Sequence, residues 1–328
     1  MVDKEQLLWQ QPATSHPGKR ESDEGNYTIT LSNSSGSASC SAIVRVEIED
    51  WRKVQWGQKD LLLKSLKSFK ICNEVKELRY LVYGPVGAGK SSTINTIRSI
   101  FEGRQFVNCL AAAESTKSHT LCFESYRFAN KKESFPFIFY DIMGAEAEDG
   151  VLTQDVISAL KGHMKEGYTF NPDTPMSESN LYYNQNPSLS DQMHCLVYVV
   201  PADKISVMEE AFLKKLESVR KTASIMVIPQ VVFMTKVDRA CQMTKENLRN
   251  IYKSKKIREN VIKYSNALGV PVNCIFPVLN YHEETHVNED INCLMLDALI
   301  QIIHYANDYV VTCSTSKVSN QQPCCICI

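Results

Sequence analysis

Residues 80–101 read YLVYGPVGAGKSSTINTIRSIF: an apolar run, a turn rich in glycine, then a stretch with helical spacing. The turn, Gly84-Pro85-Val86-Gly87-Ala88-Gly89-Lys90-Ser91, fits the pattern G-x-x-x-x-G-K-[ST]. Glycines let the backbone wrap tightly, so that its N–H groups point inward at phosphate oxygens. Lys90 is placed to reach the β and γ phosphates, and the Ser91 hydroxyl to hold Mg²⁺. With Ser92 these residues make one continuous candidate phosphate site. A helix starting there adds the positive end of its dipole.

Further along the chain, two more motifs follow in order. Asp141-Ile-Met-Gly144 ends the run FPFIFYD. A carboxylate at the tip of a buried strand suits Mg²⁺, and Gly144 can offer its amide to a γ-phosphate without a side chain in the way. Thr235-Lys236-Val237-Asp238 closes VVFMTKVD. An acid there accepts from the ring N–H and exocyclic amine of guanine, whereas adenine presents the wrong pattern; the Lys236 stem lies over the base. Between the first two motifs, ESTKSHT offers Thr116 as the switch threonine closing on Mg²⁺, with Thr120 in reserve. The metal set is then Ser91, Thr116 and Asp141, and the expected ligands are GTP or GDP with Mg²⁺. After the D-x-x-G glycine, where a glutamine would orient the attacking water, the chain has Ala145. Glu146 and Glu148 nearby would repel a polyphosphate. Hydrolysis is therefore expected to be slow or to depend on a homodimer or another protein partner. The alternative is an interaction protein locked by its nucleotide, without meaningful hydrolysis.

The rest of the chain sets the frame. Its 328 residues are 44% hydrophobic and 22% charged, with a net charge of −1. That balance argues against a nucleic-acid binder; Lys253, Lys255, Lys256 and Arg258 read as a solvated helix face. The first 20 residues lack an apolar core suited to a signal peptide, and no run approaches the roughly 20 apolar residues of a membrane span. The expectation is a cytoplasmic protein whose 12 cysteines are reduced and whose Asn26 and Asn33 sequons stay unmodified.

Short apolar runs (RYLVYG, TLCFESYRF, FPFIFYD, HCLVYVVP, VIPQVVFMTKVD, NCIFPVLN) alternate with helical stripes. The stripes are Leu61-Leu62-Leu66-Phe69, Ile94-Ile97-Phe101, Phe212-Leu216-Val219, and Leu294-Ala298-Leu299-Ile302-Ile303-Ala306. This predicts an α/β fold: a mixed, mostly parallel sheet of P-loop GTPase type, its second strand antiparallel, with helices on both faces. Upstream, alternation through Tyr27, Ile29 and Leu31, a turn at 33–36, and Ile43, Val44 and Val46 predict a small β-hairpin. It resembles the last two strands of an intermediate-set immunoglobulin domain through Asp23, Gly25 and Tyr27. Ile29 stands where that family has its disulfide cysteine. The hairpin reads either as a truncated remnant or interaction ribbon, or as an incidental turn. The expected boundaries are a flexible N-terminus (1–20), the partial immunoglobulin-like hairpin (21–50), a linker with a helix (51–75), the GTPase-like domain (76–312) and a flexible Cys-rich tail (313–328).

From about Trp51 to Val311 the chain resembles the interferon-induced protein 44 family, in its fish-type 44-like branch. GPVGAGKSS, KGHMKEGYTFNP, NPSLSDQMHCLVYVV, QVVFMTKVD and PVLNY carry the likeness. The resemblance implies a cytoplasmic, interferon-inducible GTP-binding protein of antiviral immune defence. Its guanine-nucleotide residues fall on Gly84, Gly89, Lys90, Ser91, Asp141, Gly144, Lys236 and Asp238. Some members carry an N-terminal TLDc domain, and nothing here resembles one.

Three features stand outside this reading. About 50 residues separate Gly144 from the strand near His194, far more than a simple connection needs. This excursion is either a lid or partner surface, or a packed element with no moving part. His282-Glu-Glu-Thr-His286 matches the zinc-protease string H-E-x-x-H, but directly after a strand and without helical periodicity. Finally, QQPCCICI loosely fits a prenylation signal at Cys325, with Cys324 free for a second acyl group and membrane association. An oxidisable cysteine tail is the other reading.

Overall fold

The computed structural model describes residues 25–44, 49–106, 122–129, 134–142, 144, 150–205 and 210–319. The chain divides into two compact units, Met1–Trp51 and Arg52–Ile328.

In the first unit, strand β1 (Gly25–Asn33) pairs antiparallel with β2 (Gly36–Val44). The register opposes Tyr27 to Ala42 and Ile29 to Cys40, so these four share one face. Thr28 and Ser41 share the other, their hydroxyls 2.7 Å apart.

The second unit is built on six strands: β3 (Leu78–Tyr83), β4 (Glu124–Ala129), β5 (Ser134–Asp141), β6 (Cys195–Pro201), β7 (Gln230–Thr235) and β8 (Ile275–Pro277). Their order across the sheet is β4-β5-β3-β6-β7-β8. Only the β4–β5 pair is antiparallel; every other pairing is parallel. All six fall on the predicted runs. The central strands are buried on both faces, as continuous apolar runs in a parallel sheet require.

Helices cover the sheet. The first is α1 (Lys59–Ser68) and the second α2 (Lys90–Glu102). Then come α3 (Thr153–Leu160), α4 (Glu210–Ile225), the short α5 (Val237–Ala240) and α6 (Gln242–Glu246), α7 (Lys255–Leu268), and the long α8 (Glu289–Ser319). Ile94 and Ile97 of α2 and all six predicted α8 residues are buried. In α1, Leu62 and Leu66 are buried but Leu61, 100° round the helix from Leu62, is 55% exposed. Phe69 packs edge-on against His304 of α8, and Arg52 donates to the carbonyls of Ile275 and Val272. The stretch read as a linker thus lies against the sheet body from Arg52 onward.

α8 also continues past residue 312 to Ser319. Its final turns are polar, and the hydroxyls of Thr312, Ser314 and Thr315 bond back to carbonyls four residues earlier, so no apolar stripe announces them.

Residues 162–193, most of the long excursion, pack down with Met164, Tyr168, Phe170 and Met193 buried. Gly162, at φ +84°, turns the chain out of α3 where a Cβ would stand 2.7 Å from the Asp191 carbonyl carbon. The string PSLSDQMH, Pro187–His194, closes the excursion. Asp191 accepts from the Ser188 amide and hydroxyl at 2.8 and 2.7 Å. His194 accepts the Arg79 amide on Nδ1 at 3.0 Å, and its Nε2 lies 2.9 Å from the Leu189 carbonyl. Both ring nitrogens are therefore engaged by the neutral imidazole. Burial pushes the His194 pKa down to about 4.

Candidate functional site: a phosphate loop joined to a base pocket

The turn between β3 and α2 is compact for a covalent reason. A Cβ at Gly84 would lie 2.1 Å from the Val199 carbonyl oxygen, so only glycine lets the loop leave β3 against β6. Gly87 and Gly89 sit at φ +69° and +97°, in the left-handed region where other residues are strained. Lys90 opens α2 and is buried; its ammonium donates to the carbonyls of Gly84 and Pro85, both at 3.0 Å. The loop thus folds its own cation over its mouth, where an anion can exchange for those carbonyls.

Ser91, one residue on, donates from Oγ to Asp141 Oδ2 at 2.7 Å. Asp141 is the last residue of β5 and is 1% exposed. This joins two oxygen ligands of the kind Mg²⁺ takes. Gly144 meets the loop from the same side, since a Cβ there would stand 2.3 Å from Val86 Cγ2. A glycine cradle, one buried ammonium and a hydroxyl–carboxylate pair fit a magnesium–polyphosphate group in shape and charge.

The other end of the candidate site is built from the tips of β7 and β8. Thr235 is buried at the end of β7, and its hydroxyl donates to the Ala88 carbonyl at 2.6 Å. Lys236 takes a left-handed turn, φ 55°, which starts α5 and brings Asp238 onto its first turn. Partial burial lowers the Lys236 pKa, and the carboxylates of Asp203 and Asp238 oppose that shift. A cavity of about 270 Å³ runs from Gly87, Gly89 and Ser92 past Thr235, Lys236 and Asp238 to residues 279–283. The first and third motifs, nearly 150 residues apart in the chain, therefore line one pocket.

Sequence reasoning missed the residues that join them. Asn280, in the loop after β8, donates from Nδ2 to the Gly89 carbonyl at 3.2 Å and to Thr93 Oγ1 at 3.0 Å. The Tyr281 amide donates to Thr96 Oγ1 at 2.9 Å. The base loop is thereby fastened to the first turns of α2. The only sequence signal was the string PVLNY, which marked the likeness without giving a role.

Thr116, Thr120, Ala145, Glu146 and Glu148 lie outside the described residues, as do Cys324 and Cys325. His282 and Glu283 line the base cavity from an irregular loop. The H-E-x-x-H string is therefore not on a helix, and the helical turn that aligns two histidines on a zinc ion is missing. Among the described residues, no group of three His, Cys, Asp or Glu side chains is placed to hold a metal ion. No helix of the described residues is long and apolar enough to cross a membrane.

No protein-family model matches the chain. It is 30% identical over 257 residues to interferon-induced protein 44-like of Homo sapiens, covering 76% of this chain and 56% of that protein. It is 29% identical over 254 residues to interferon-induced protein 44 of Mus musculus, covering 76% and 60%. The chain thus spans somewhat more than half the length of these curated relatives. Among solved structures it is similar to Toc33 from Arabidopsis thaliana in complex with Mg²⁺ and GMPPNP: TM-score 0.44, 14% identity, 76% of this chain and 91% of that one. It is also similar to a probable GTP-binding protein engB: TM-score 0.38, 10% identity, covering 70% and 99%.

Proposed function

We propose that this chain belongs to the interferon-induced protein 44 family and acts as a guanine-nucleotide switch of the interferon response to viruses. Identity near 30% across three quarters of the chain supports the kinship. The observation that carries the nucleotide reading is the cavity shared by Gly87, Gly89, Thr235, Lys236 and Asp238. A polyphosphate and a purine bound together need both ends at once.

In this reading Gly84 to Ser92 wrap the phosphates, and Lys90 trades its backbone carbonyls for phosphate oxygens. Ser91 and Asp141 would hold Mg²⁺, with Thr116 of the ESTKSHT stretch. When bound, that ion would neutralise charge on the β and γ phosphates. Gly144 offers its amide toward the terminal phosphate. Asp238 selects guanine, and Lys236 covers the base with its stem.

Ala145 favours the second reading, a nucleotide-locked interaction protein, because it supplies no side chain to orient water. In the first reading hydrolysis comes slowly or from a partner, a second copy included. The test is calorimetry with GTP, ATP and xanthosine triphosphate in Mg²⁺. Saturable heat with GTP alone is expected, and Asp238→Asn should turn the preference toward xanthosine triphosphate. An ATP preference, or no heat with GTP at high concentration, would refute the reading. Single-turnover hydrolysis at rising protein concentration separates the two readings. A rate that climbs with concentration supports the partner-dependent enzyme, and a flat, negligible rate supports the locked state.

A further inference from the structure

A second cavity of the second unit, about 830 Å³, opens at the amino ends of β6, β7 and β8, opposite the end that carries the glycine loop. Its walls are the turn between α4 and β7 (Val227, Pro229), the turn between α7 and β8 (Val270, Pro271), and one face of α8 (Tyr305, Tyr309). Val227, in this lining, is 70% exposed. A trough of this size is ordinary for an organic ligand, and leaving its lining wet is costly.

Among the described residues one cation reaches this trough. Arg220, on α4, lines the cavity, and a Cβ at Gly269 would meet its guanidinium carbon at 3.3 Å. Gly269, at φ +62°, ends α7 and so leaves space for that head group. Among the described residues Arg220 forms no ion pair. Its helical neighbour Glu217 is taken by Lys221 at 2.8 Å. The polar groups beside it are spent within the protein. Gln230 donates to the Arg220 carbonyl and to Ser224 Oγ, and accepts from the Tyr198 hydroxyl. Asp308, on the α8 wall, is the one carboxylate among the described residues lining the cavity, and it disfavours any second negative charge.

We propose that this trough binds a single-chain amphiphile with one carboxylate, such as a long-chain fatty acid, its head paired with Arg220 and its chain along Val270, Pro271 and α8. A guanidinium meets a carboxylate with two parallel hydrogen bonds, and the apolar walls take the hydrocarbon. The site is at the other end of the sheet from the nucleotide pocket and does not depend on the nucleotide reading.

The test uses the full chain and 11-(dansylamino)undecanoic acid, whose emission rises and shifts to the blue in an apolar site. One equivalent should bind and be displaced by dodecanoate, with dodecanol at least about tenfold weaker, the loss expected for one charge-assisted pair. Arg220→Gln should weaken dodecanoate about tenfold and leave dodecanol unchanged. Asp308→Asn should tighten dodecanoate. Cys313→Trp, which fills the trough from α8, should abolish probe binding, with circular dichroism and thermal melting reporting whether each variant folds. Equal displacement by acid and alcohol, or indifference to Arg220→Gln, would overturn the carboxylate. Binding that survives Cys313→Trp in a folded protein would overturn the site. Stronger probe binding after deletion of residues 324–328 would assign the trough to the chain's own CCICI segment and also overturn the proposal.

Discussion

Two polar clusters flank β3, and they differ in what they leave open. At the carboxyl end, the Lys90 ammonium rests on two backbone carbonyls, and the residues around it line a cavity. At the amino end, Arg79, Asp191 and His194 are buttoned to one another and to the backbone of residues 188–191. Both come from strings that stand out in the sequence, GPVGAGKSS and PSLSDQMHC. The first holds its charge by contacts that a ligand can replace. The second has its hydrogen bonds completed internally, so it is a fastening. A distinctive string thus marks constraint, and only the geometry tells binding from bracing.

Experiment can pull the two clusters apart, beginning where the effect is largest. Lys90→Ala should lower guanine-nucleotide affinity at least about 100-fold, the order expected when one partner of a buried charged pair is removed. The melting temperature should barely move. A large stability loss with little change in affinity would make Lys90 a brace like His194.

At the other cluster the readout is pH. Folded His194 protonates only near pH 4, whereas the unfolded residue takes its proton near 6.5. Between those values the unfolded chain binds more protons, so stability falls as pH falls, by about 3 kcal/mol in all. It is whole above pH 6.5 and flat again below 4. Urea titrations at pH 7 and 4.5 check this, and His194→Gln should flatten the slope. An unchanged slope would mean that the buttoning carries no energy.

Gly162→Ala probes the same division at a smaller scale. The new Cβ needs a left-handed backbone and meets the Asp191 main chain, which should cost about 2 kcal/mol of stability. Nucleotide affinity of the folded protein should be unchanged. Smallest is Asn280→Ala, which cuts the tie between the base loop and α2. A cost of about 1 kcal/mol is expected, seen as roughly fivefold weaker nucleotide binding. Binding of inorganic triphosphate should suffer less, because it uses only the phosphate end.

Much of the second unit was legible because each strand is a short apolar run. Three of these runs end at the motifs of the candidate site, at Tyr83 before the glycines, at Asp141 and at Thr235. The three motifs of the candidate site stand out as strings for a related reason, since each is contiguous. What was hidden is non-local. Asn280 and Thr93 are 187 residues apart, and no spacing rule links them. Which of the adjacent leucines Leu61 and Leu62 is buried was settled by how α1 lies in the fold, which spacing alone does not give. The last turns of α8 hid because their hydroxyls cap their own carbonyls. The Arg220 trough is assembled from two turns and a helix face, with no string of its own.

The stems of the long excursion matter beyond their own packing. Met193 donates its amide to Leu160 at 3.1 Å, and Asn184 to His163 at 2.7 Å, so the detour leaves and rejoins the sheet through adjoining doorways. Segments inserted between such doorways add little closure entropy as they lengthen. The exposed middle of the detour, around Leu181, could therefore lengthen in a homologue while its buried stems and the strands beneath kept their alignment.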